Sequence, residues 1–493
     1  MRVSKLHIIG ITALIVVACV SARKLSLINS AKIATVFLPH HDLVAEERFN
    51  FLKKIQPKIK NRPLIILSTN HYDAGEYDIQ TRKSDFTTRN GTIPVNQELY
   101  ATALSLGAQD EPITFEAEHG VSSLLPDIAE LFPDSFMLPL IIKPSIDKDK
   151  LELTISELRN ACPNCVVFAS VDFSHYQPYQ LSEFHDKQTL RTLHNFAIND
   201  AKQQKHEVGE PHVLWAAMRW AELAEAKRFQ LLDHTNSTEK IQDLDSEGTT
   251  HIFGYYQTGN PHPAKESVSF SFASAIDFSN KPAIDRFQQL GERVFWGTDT
   301  TIANIINPQV GSQRILDYLH ISTVLKESTH YNIEGSDATL HIRTVTEDSP
   351  SVKEEDTVCS DNCYEIVYVY WNESSNREQR KSIAVQLIEN GADLVIGNSP
   401  VLSPVDQHNN RPIIYGLGNL LTKDQKRSTS MTLSGEFSDN MLTLLPMLID
   451  SSSGNAILQR NADSRKILKE HFGTFSKQLI DERGGLLFSI DLK

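Results

Sequence analysis

Three short apolar runs, each ending in histidine, constrain this chain more than anything else in it. Thr35 to Leu38 leads into Pro39, His40 and His41, and Pro63 to Ser68 leads into Thr69, Asn70 and His71. Val166 to Ser170 leads into Val171, Asp172, Phe173, Ser174, His175 and Tyr176. A short run without polar alternation suits a strand buried on both faces of a parallel or mixed sheet. Ligands of open α/β sheets bind in the crevice beyond the carboxyl ends of the strands. One pocket lined by imidazoles from these strand ends is therefore expected.

The chain has 493 residues, too many for one compact core, so two or three domains are expected. A net charge of −14 argues against a nucleic-acid partner or an anionic membrane surface, because either needs a basic face. Residues 1–23 read as a signal peptide, a lipoprotein signal or a membrane anchor. Arg2 and Lys5 precede the apolar stretch Leu6 to Val20, and Val20, Ser21 and Ala22 offer a small-residue cleavage site. Val16, Val17, Ala18 and Cys19 also resemble a lipobox. Each reading places the rest of the protein outside the cytoplasm, in the periplasm or at the cell surface, with membrane contact only through this segment.

Apart from Cys19, the cysteines form two close pairs, Cys162/Cys165 and Cys359/Cys363. In an exported chain two short-loop disulfides are the favoured reading, with a redox-active pair or half of a zinc site as the alternatives. Residues 31–259 alternate strand-like runs with helical patterns at Leu43 to Ile59, Val121 to Phe132, Lys150 to Asn160, Leu181 to Lys205 and Pro211 to Arg228. Residues 260–285 are richer in Ser, Pro and Lys and read as a linker, and 286–493 as a second domain.

Five motifs in the first domain resemble those of the Memo family, known in bacteria as AmmeMemoRadiSam system protein B. They are PHHDL at Pro39, STNHYDAG at Ser68, EHGVSSLLP at Glu118, DFSHY at Asp172 and VGEPHVLWAAM at Val208. The resemblance covers residues 34–258 and implies an αβα sandwich like that of the class III extradiol dioxygenases. It implies His40 and His71 as metal ligands, with His119 and His175 lining the pocket and His175 as general base. Asp172 either orients a neighbouring imidazole or caps a loop. Two imidazoles and a carboxylate suit iron or copper, with zinc as a further option, and leave positions open for substrate. The resemblance puts Val208, which cannot ligate, where the third ligand belongs. Glu207 and Glu210 flank it as replacements, and His206 and His212 are further options. The blander reading makes both glutamates solvated charges at a helix start. His41, His185, His194, His206, His234 and His251 are assigned no chemistry.

The second domain resembles the C-terminal half of the CapA-type, calcineurin-like metallophosphatase domain of poly-γ-glutamate capsule proteins. The resemblance rests on Tyr364 to Trp371, a helix over Arg377 to Asn390, the Gly-Ala-Asp turn before Leu394, and Tyr415 to Asn419. The histidines of that family's motifs are replaced by Tyr370 and by residues within Asn398, Ser399, Pro400 and Val401. With Asp299, Asn398 and Asn419 as its only candidate ligands, a two-metal phosphoesterase site cannot be filled. Residues 311–360 read as too short and polar to hold the family's central part. The expected fold is therefore α/β, with a reduced metallophosphatase-like sandwich behind the αβα unit.

Two functions follow. One is an exported metal-dependent oxidoreductase or dioxygenase-like enzyme; the other is a non-catalytic binding or scaffold protein of the cell envelope. Its partner is then an unidentified small molecule or envelope component, with no nucleic acid. No phosphate-binding loop, dinucleotide fingerprint or GxSxG elbow occurs.

Overall fold

The structure is a computed structural model that describes residues 31–202, 208–265, 267–272, 275–276, 329–332, 338–350, 363–372, 374–399, 401–421, 429–450, 457–459, 462–473, 479–482 and 485–492. The N-terminal segment, with its expected leader and Cys19, lies outside them, as do Glu207 and Asp299.

The first unit is built on an eight-stranded sheet. Its strands are β1 (Ile33–Leu38), β2 (Leu64–Thr69), β3 (Ile79–Thr81), β4 (Gln109–Asp110), β5 (Met137–Ile142), β6 (Val166–Ser170), β7 (Arg228–Asn236) and β8 (Thr250–Gln257). They lie in the order β7-β8-β1-β6-β2-β5-β3-β4. The centre is parallel, with β6 between β1 and β2 and β2 paired to β5. The edges turn antiparallel through β8 and β7 on one side and β3 on the other. Strands β1, β2, β5 and β6 are buried along their whole length, as their unbroken apolar runs require.

Helices cover both faces. On one side lie α1 (Ala45–Ile59) and α3 (Leu125–Leu131), with α2 (His119–Ser122) just before α3. Helix α1 buries Phe51, Leu52, Ile55 and Ile59, a stripe at helical spacing. Arg48 ties this layer to the site: it donates to Asp127 at 2.8 Å, to Ser123 O at 2.9 Å and to Pro39 O, one residue before His40. On the other side lie α4 (Lys148–Ala161) and α6 (Pro211–Leu223). Helix α6 is buried nearly all round, because α4 packs behind it while Ala216, Ala217 and Ala221 let it approach closely. Thr35 donates to Ala217 O at 3.1 Å across that gap.

Several elements differ from the sequence reading. The helix expected over Leu181 to Lys205 is α5 (Tyr179–Asn195), which stops where Phe196 turns left-handed at φ 57°. A shorter helix follows at Ile198–Lys202. Helix α6 ends at Leu223 rather than Arg228, and Arg228 instead opens edge strand β7, whose polar outer face hid its period. The Cys162–Cys165 disulfide closes the turn between α4 and β6. Cys359, of the other pair, lies outside the described residues.

The second unit stacks two six-stranded sheets. Its main strands are β9 (Ser267–Phe272), β10 (Thr329–Asn332), β11 (Thr339–Thr346), β12 (Cys363–Tyr370), β13 (Leu394–Gly397), β14 (Asp406–His408), β15 (Arg411–Ile414), β16 (Thr429–Ser438), β17 (Met441–Asp450), β18 (Leu479–Glu482) and β19 (Gly485–Asp491). One sheet runs β10-β11-β12-β13-β15-β14 with a parallel centre. The other runs β9-β16-β17-β19-β18, with Ile457–Gln459 paired to β17 as its sixth strand, and is antiparallel. Alternation sorts the side chains: Ile366 and Tyr368 of β12 enter the core between the sheets, while Val367 and Val369 meet helix α7 (Arg377–Glu389).

One reading needs correction here. Ser267–Phe272, inside the stretch read as linker, is a strand of the antiparallel sheet. Residues 311–360, read as too short and polar to hold the family's central part, include β11, which pairs with β12 over its full length. Its His341 and Arg343 made it look polar, but both meet Glu365 on β12, so the polar positions are paired within the sheet.

Candidate metal centre

At the carboxyl ends of β1 and β2 the chain delivers His40 and His71, as their position after buried strands requires. The third imidazole is His119, the first residue of α2, and not His175. Nitrogens of His40, His71 and His119 all lie within 4.8 Å of one another, an arrangement that could hold a metal ion. The ring centroids of His71 and His119 are 4.1 Å apart, and those of His40 and His71 are 4.8 Å apart. His40 is buried, while His119 stands at the open side of the cluster.

The ring partners fix which nitrogens are free. Ser170, the last residue of β6, donates to Gly120 O at 2.5 Å, so its oxygen is left to accept from His40 Nδ1 at 3.0 Å. His40 therefore carries its proton on Nδ1 and a lone pair on Nε2. His71 Nδ1 faces the Glu118 carboxylate at 2.5 Å and must be protonated as well. Glu118 also accepts from the amides of His71 and Gly120, so one buried carboxylate locks both a strand end and a helix start. Gly120 has to be glycine, because a Cβ there would run into the Ser68 hydroxyl.

The free Nε2 atoms then confront carboxylate oxygens. His40 Nε2 lies 3.4 Å from Asp172 Oδ2, and His71 Nε2 lies 3.3 Å from Glu210 Oε1. Two lone pairs at that distance repel unless positive charge sits with them. In the metal-free protein a proton on His71 supplies that charge at the Glu210 contact. Burial pushes its pKa down, but the Glu118 and Glu210 carboxylates outweigh burial and hold it at about 9. Burial and the positive charge at His71 push the His119 pKa down, which favours a neutral ring with a lone pair. Neutral imidazoles backed by carboxylates are the donor set of a transition-metal site, so the residues present fit a cation.

The other expected site residues surround this cluster without joining it. Asp172 accepts the His40 amide at 3.0 Å. Burial raises its pKa, but His40, His175 and His251 prevail and hold it well below the usual range. His175 Nε2 stands 3.9 Å from Asp172 Oδ2. Its ring stacks with Tyr176, which is left-handed at φ 52°. A Cβ on Gly209 would collide with the His175 ring, so that loop also needs its glycine.

Glu210 is not the solvated helix-start charge of the blander reading. It is 1% exposed, its Oε2 accepts the Asp172 amide at 2.8 Å, and Oε1 faces His71. It is absent from the three-imidazole group. Val208 is buried among apolar neighbours and His212 donates toward Ile142 O, so neither completes the site. His206 lies outside the described residues, like Glu207. Sequence reasoning missed Ser170 and the roles of Glu118 and Glu210. It also missed the His41–His251 contact at 3.0 Å, in which burial pushes His251 down to about 4.

The second unit has no comparable cluster among the described residues. Its Asn398 is spent on the backbone amide of Trp371 at 2.8 Å, which holds two strand ends together.

Fold and site together define a two-unit α/β protein with a histidine cluster that could hold a metal ion at the strand ends of its first sheet. Residues 16–250 match the family described as Memo-like protein, so the first unit is a Memo-like family domain, and residues 340–424 match the family described as bacterial capsule synthesis protein PGA_cap. The chain is similar to a MEMO1 family protein of Caldivirga maquilingensis, 27% identical over 34% of this chain and 62% of the relative. Another MEMO1 family protein, from Methanopyrus kandleri, is 26% identical over 26% of this chain and 48% of its own length. The chain thus spans about half to three fifths of these relatives. A crystal structure of an uncharacterized Escherichia coli K12 protein aligns with 46% of this chain at 12% identity and a TM-score of 0.32. No helix among the described residues is long and apolar enough to cross a membrane.

Proposed function

We propose that this is an exported metal-dependent oxidoreductase whose first unit holds iron or copper on His40, His71 and His119. The observation that carries the reading is the convergence of these imidazoles, with Ser170 and Glu118 holding the Nδ1 protons of two of them and leaving Nε2 free. Bound there, such an ion supplies Lewis acidity and one-electron chemistry toward dioxygen or a reactive oxygen species. The chain's own groups do the rest. His175, beside Asp172, accepts a proton from a small acidic substrate such as a phenol. Asp172 keeps that ring oriented and stays ionised. Tyr72, 3.4 Å from His119 through its hydroxyl, and Tyr176 stand exposed beside pocket histidines, where a ligand would enter.

The test is metal content by elemental mass spectrometry of the purified chain and of a His40→Ala/His71→Ala double variant. Stoichiometric iron or copper, lost in the variant, supports the reading and warrants screening phenols under dioxygen. No metal in either protein after reconstitution would refute it and leave the alternative, a non-catalytic envelope binding protein. That second reading draws on the second unit, where Asn398 serves the backbone rather than an ion.

A further inference from the structure

Helix α5 is buried on nearly every side, although its sequence is polar. It lies between the two units, and its faces serve different masters. Leu181, Phe184 and Arg191 form one stripe. Leu181 and Phe184 pack with Leu445 and Met447 of β17 and with Leu487 of β19. Even-numbered Leu442, Leu444 and Leu448 of β17 fill the second unit's own core, so its odd-numbered face is turned outward onto α5. Arg191 donates to Glu436 of β16 at 2.7 Å and to Ser267 O of β9 at 2.8 Å, and Ser267 Oγ donates to the same carboxylate at 2.7 Å.

Ser182 and Asp186 lie on a second stripe, rotated roughly 150° from the first at 100° per residue. That stripe faces the His175 loop. Ser174 Oγ donates to Asp186 Oδ1 at 2.8 Å, and Asp186 Oδ2 pairs with His234 at 2.6 Å. The loop is also held elsewhere: Val171 donates to Leu38 O, and Asp172 accepts the His40 amide while donating its own to Glu210. Ser174 N donates to Thr250 Oγ1 and Ser174 O accepts from Thr250 N, Phe173 N donates to Thr250 O, and Gly209 donates to the carbonyls of Asp172 and Phe173. Asp186 is thus the charged side chain that fixes the residue next to His175.

We propose that the second unit acts as a clamp on the first: it presses α5 into place, and Asp186, as a positioning residue acting through Ser174, fixes the loop that carries Asp172 and His175. The second unit, with no metal-binding group among its described residues, thereby has a role in the other unit's pocket. The inference rests on the pocket reading only in naming what the loop serves, since the positioning itself can be measured without metal.

The experiment is hydrogen exchange by mass spectrometry on the full chain, comparing wild type with Glu436→Gln, Leu445→Ala/Met447→Ala, Ser174→Ala and the Glu436→Gln/Ser174→Ala double variant. Losing a hydrogen bond to a charged acceptor should raise exchange in residues 171–176 by about tenfold or more. Either interface variant should do the same while strand β2 stays protected, and the double variant should exchange no faster there than Ser174→Ala alone. A purely structural interface would instead loosen only residues 179–195 and 429–447, or every element equally, and either outcome overturns the clamp. Co(II) binding to the same proteins separates the two readings. No Co(II) binding by wild type counts against the metal pocket and leaves the exchange result standing. Tight Co(II) binding by wild type with unchanged exchange at 171–176 in the interface variants counts against the clamp alone.

Discussion

Ser170→Ala isolates the device that sets the tautomer of His40. The hydroxyl is fully buried; it accepts from His40 Nδ1 and donates to Gly120 O, so its loss orphans one donor and one acceptor. Each orphaned buried group costs ~1–3 kcal/mol. The imidazole can escape half of that by moving its proton to Nε2, where Asp172 Oδ2 stands 3.4 Å away to accept it. The metal-free protein should therefore lose only about 1–3 kcal/mol, the cost of the Gly120 carbonyl. The consequence for metal is larger. The lone pair on Nε2 is now taken, and freeing it means breaking a hydrogen bond to a carboxylate, worth ~1.5–3 kcal/mol. At 1.36 kcal/mol per tenfold, that is roughly a 10–100-fold loss of affinity. Competition between the protein and a chromophoric chelator for Co(II), run beside urea unfolding, measures both effects. A variant that is destabilised yet binds Co(II) within threefold of wild type would refute the tautomer argument.

Two pH effects follow from the same geometry. A metal ion must displace the proton that His71 holds with a pKa of about 9. Affinity measured by the same competition should thus rise by up to tenfold per pH unit until about pH 9 and then level off; a flat profile from pH 7 to 9 would refute the role of His71 as a ligand. At His234, burial lowers the pKa but Asp186, Glu183 and Glu239 raise it above the ordinary value. Its contribution to stability is therefore full below about pH 6.5 and is lost as the pH rises through the folded value. Urea unfolding of wild type and His234→Gln should differ most in acid and converge in base.

How much of this was legible in the sequence depends on the distance over which each feature is determined. The buried strands β1, β2 and β6 were legible, since an unbroken apolar run has few other solutions. His40 and His71 were legible with them, because a residue directly after such a strand can only stand at its carboxyl end. Strand β7 was not, because its outer face is polar and its pattern resembles a loop. Helix α5 was read too long, because helical spacing continues past Asn195 and the break comes from one residue, Phe196, adopting a left-handed backbone.

The choice of third imidazole belongs to the tertiary structure. In sequence His119 directly follows Glu118 and His175 comes three residues after Asp172, and neither spacing says which imidazole joins the cluster. The fold separates them by carrying Glu118 under β2 and Asp172 under β1, so that α2 turns its first residue into the cluster while His175 remains behind Asp172. Glu210 illustrates the same limit: before a helix-opening proline it reads as a solvated charge, and only the crossing of three chain segments buries it between His71 and Asp172. The sequence by itself determined the buried strands β1, β2 and β6 and the histidines that follow β1 and β2, because burial and backbone geometry act over a few neighbouring residues. Which proton sits on which nitrogen, and which unit leans on which helix, was decided by contacts between residues as far apart as Arg191 and Glu436, and no local pattern carries those.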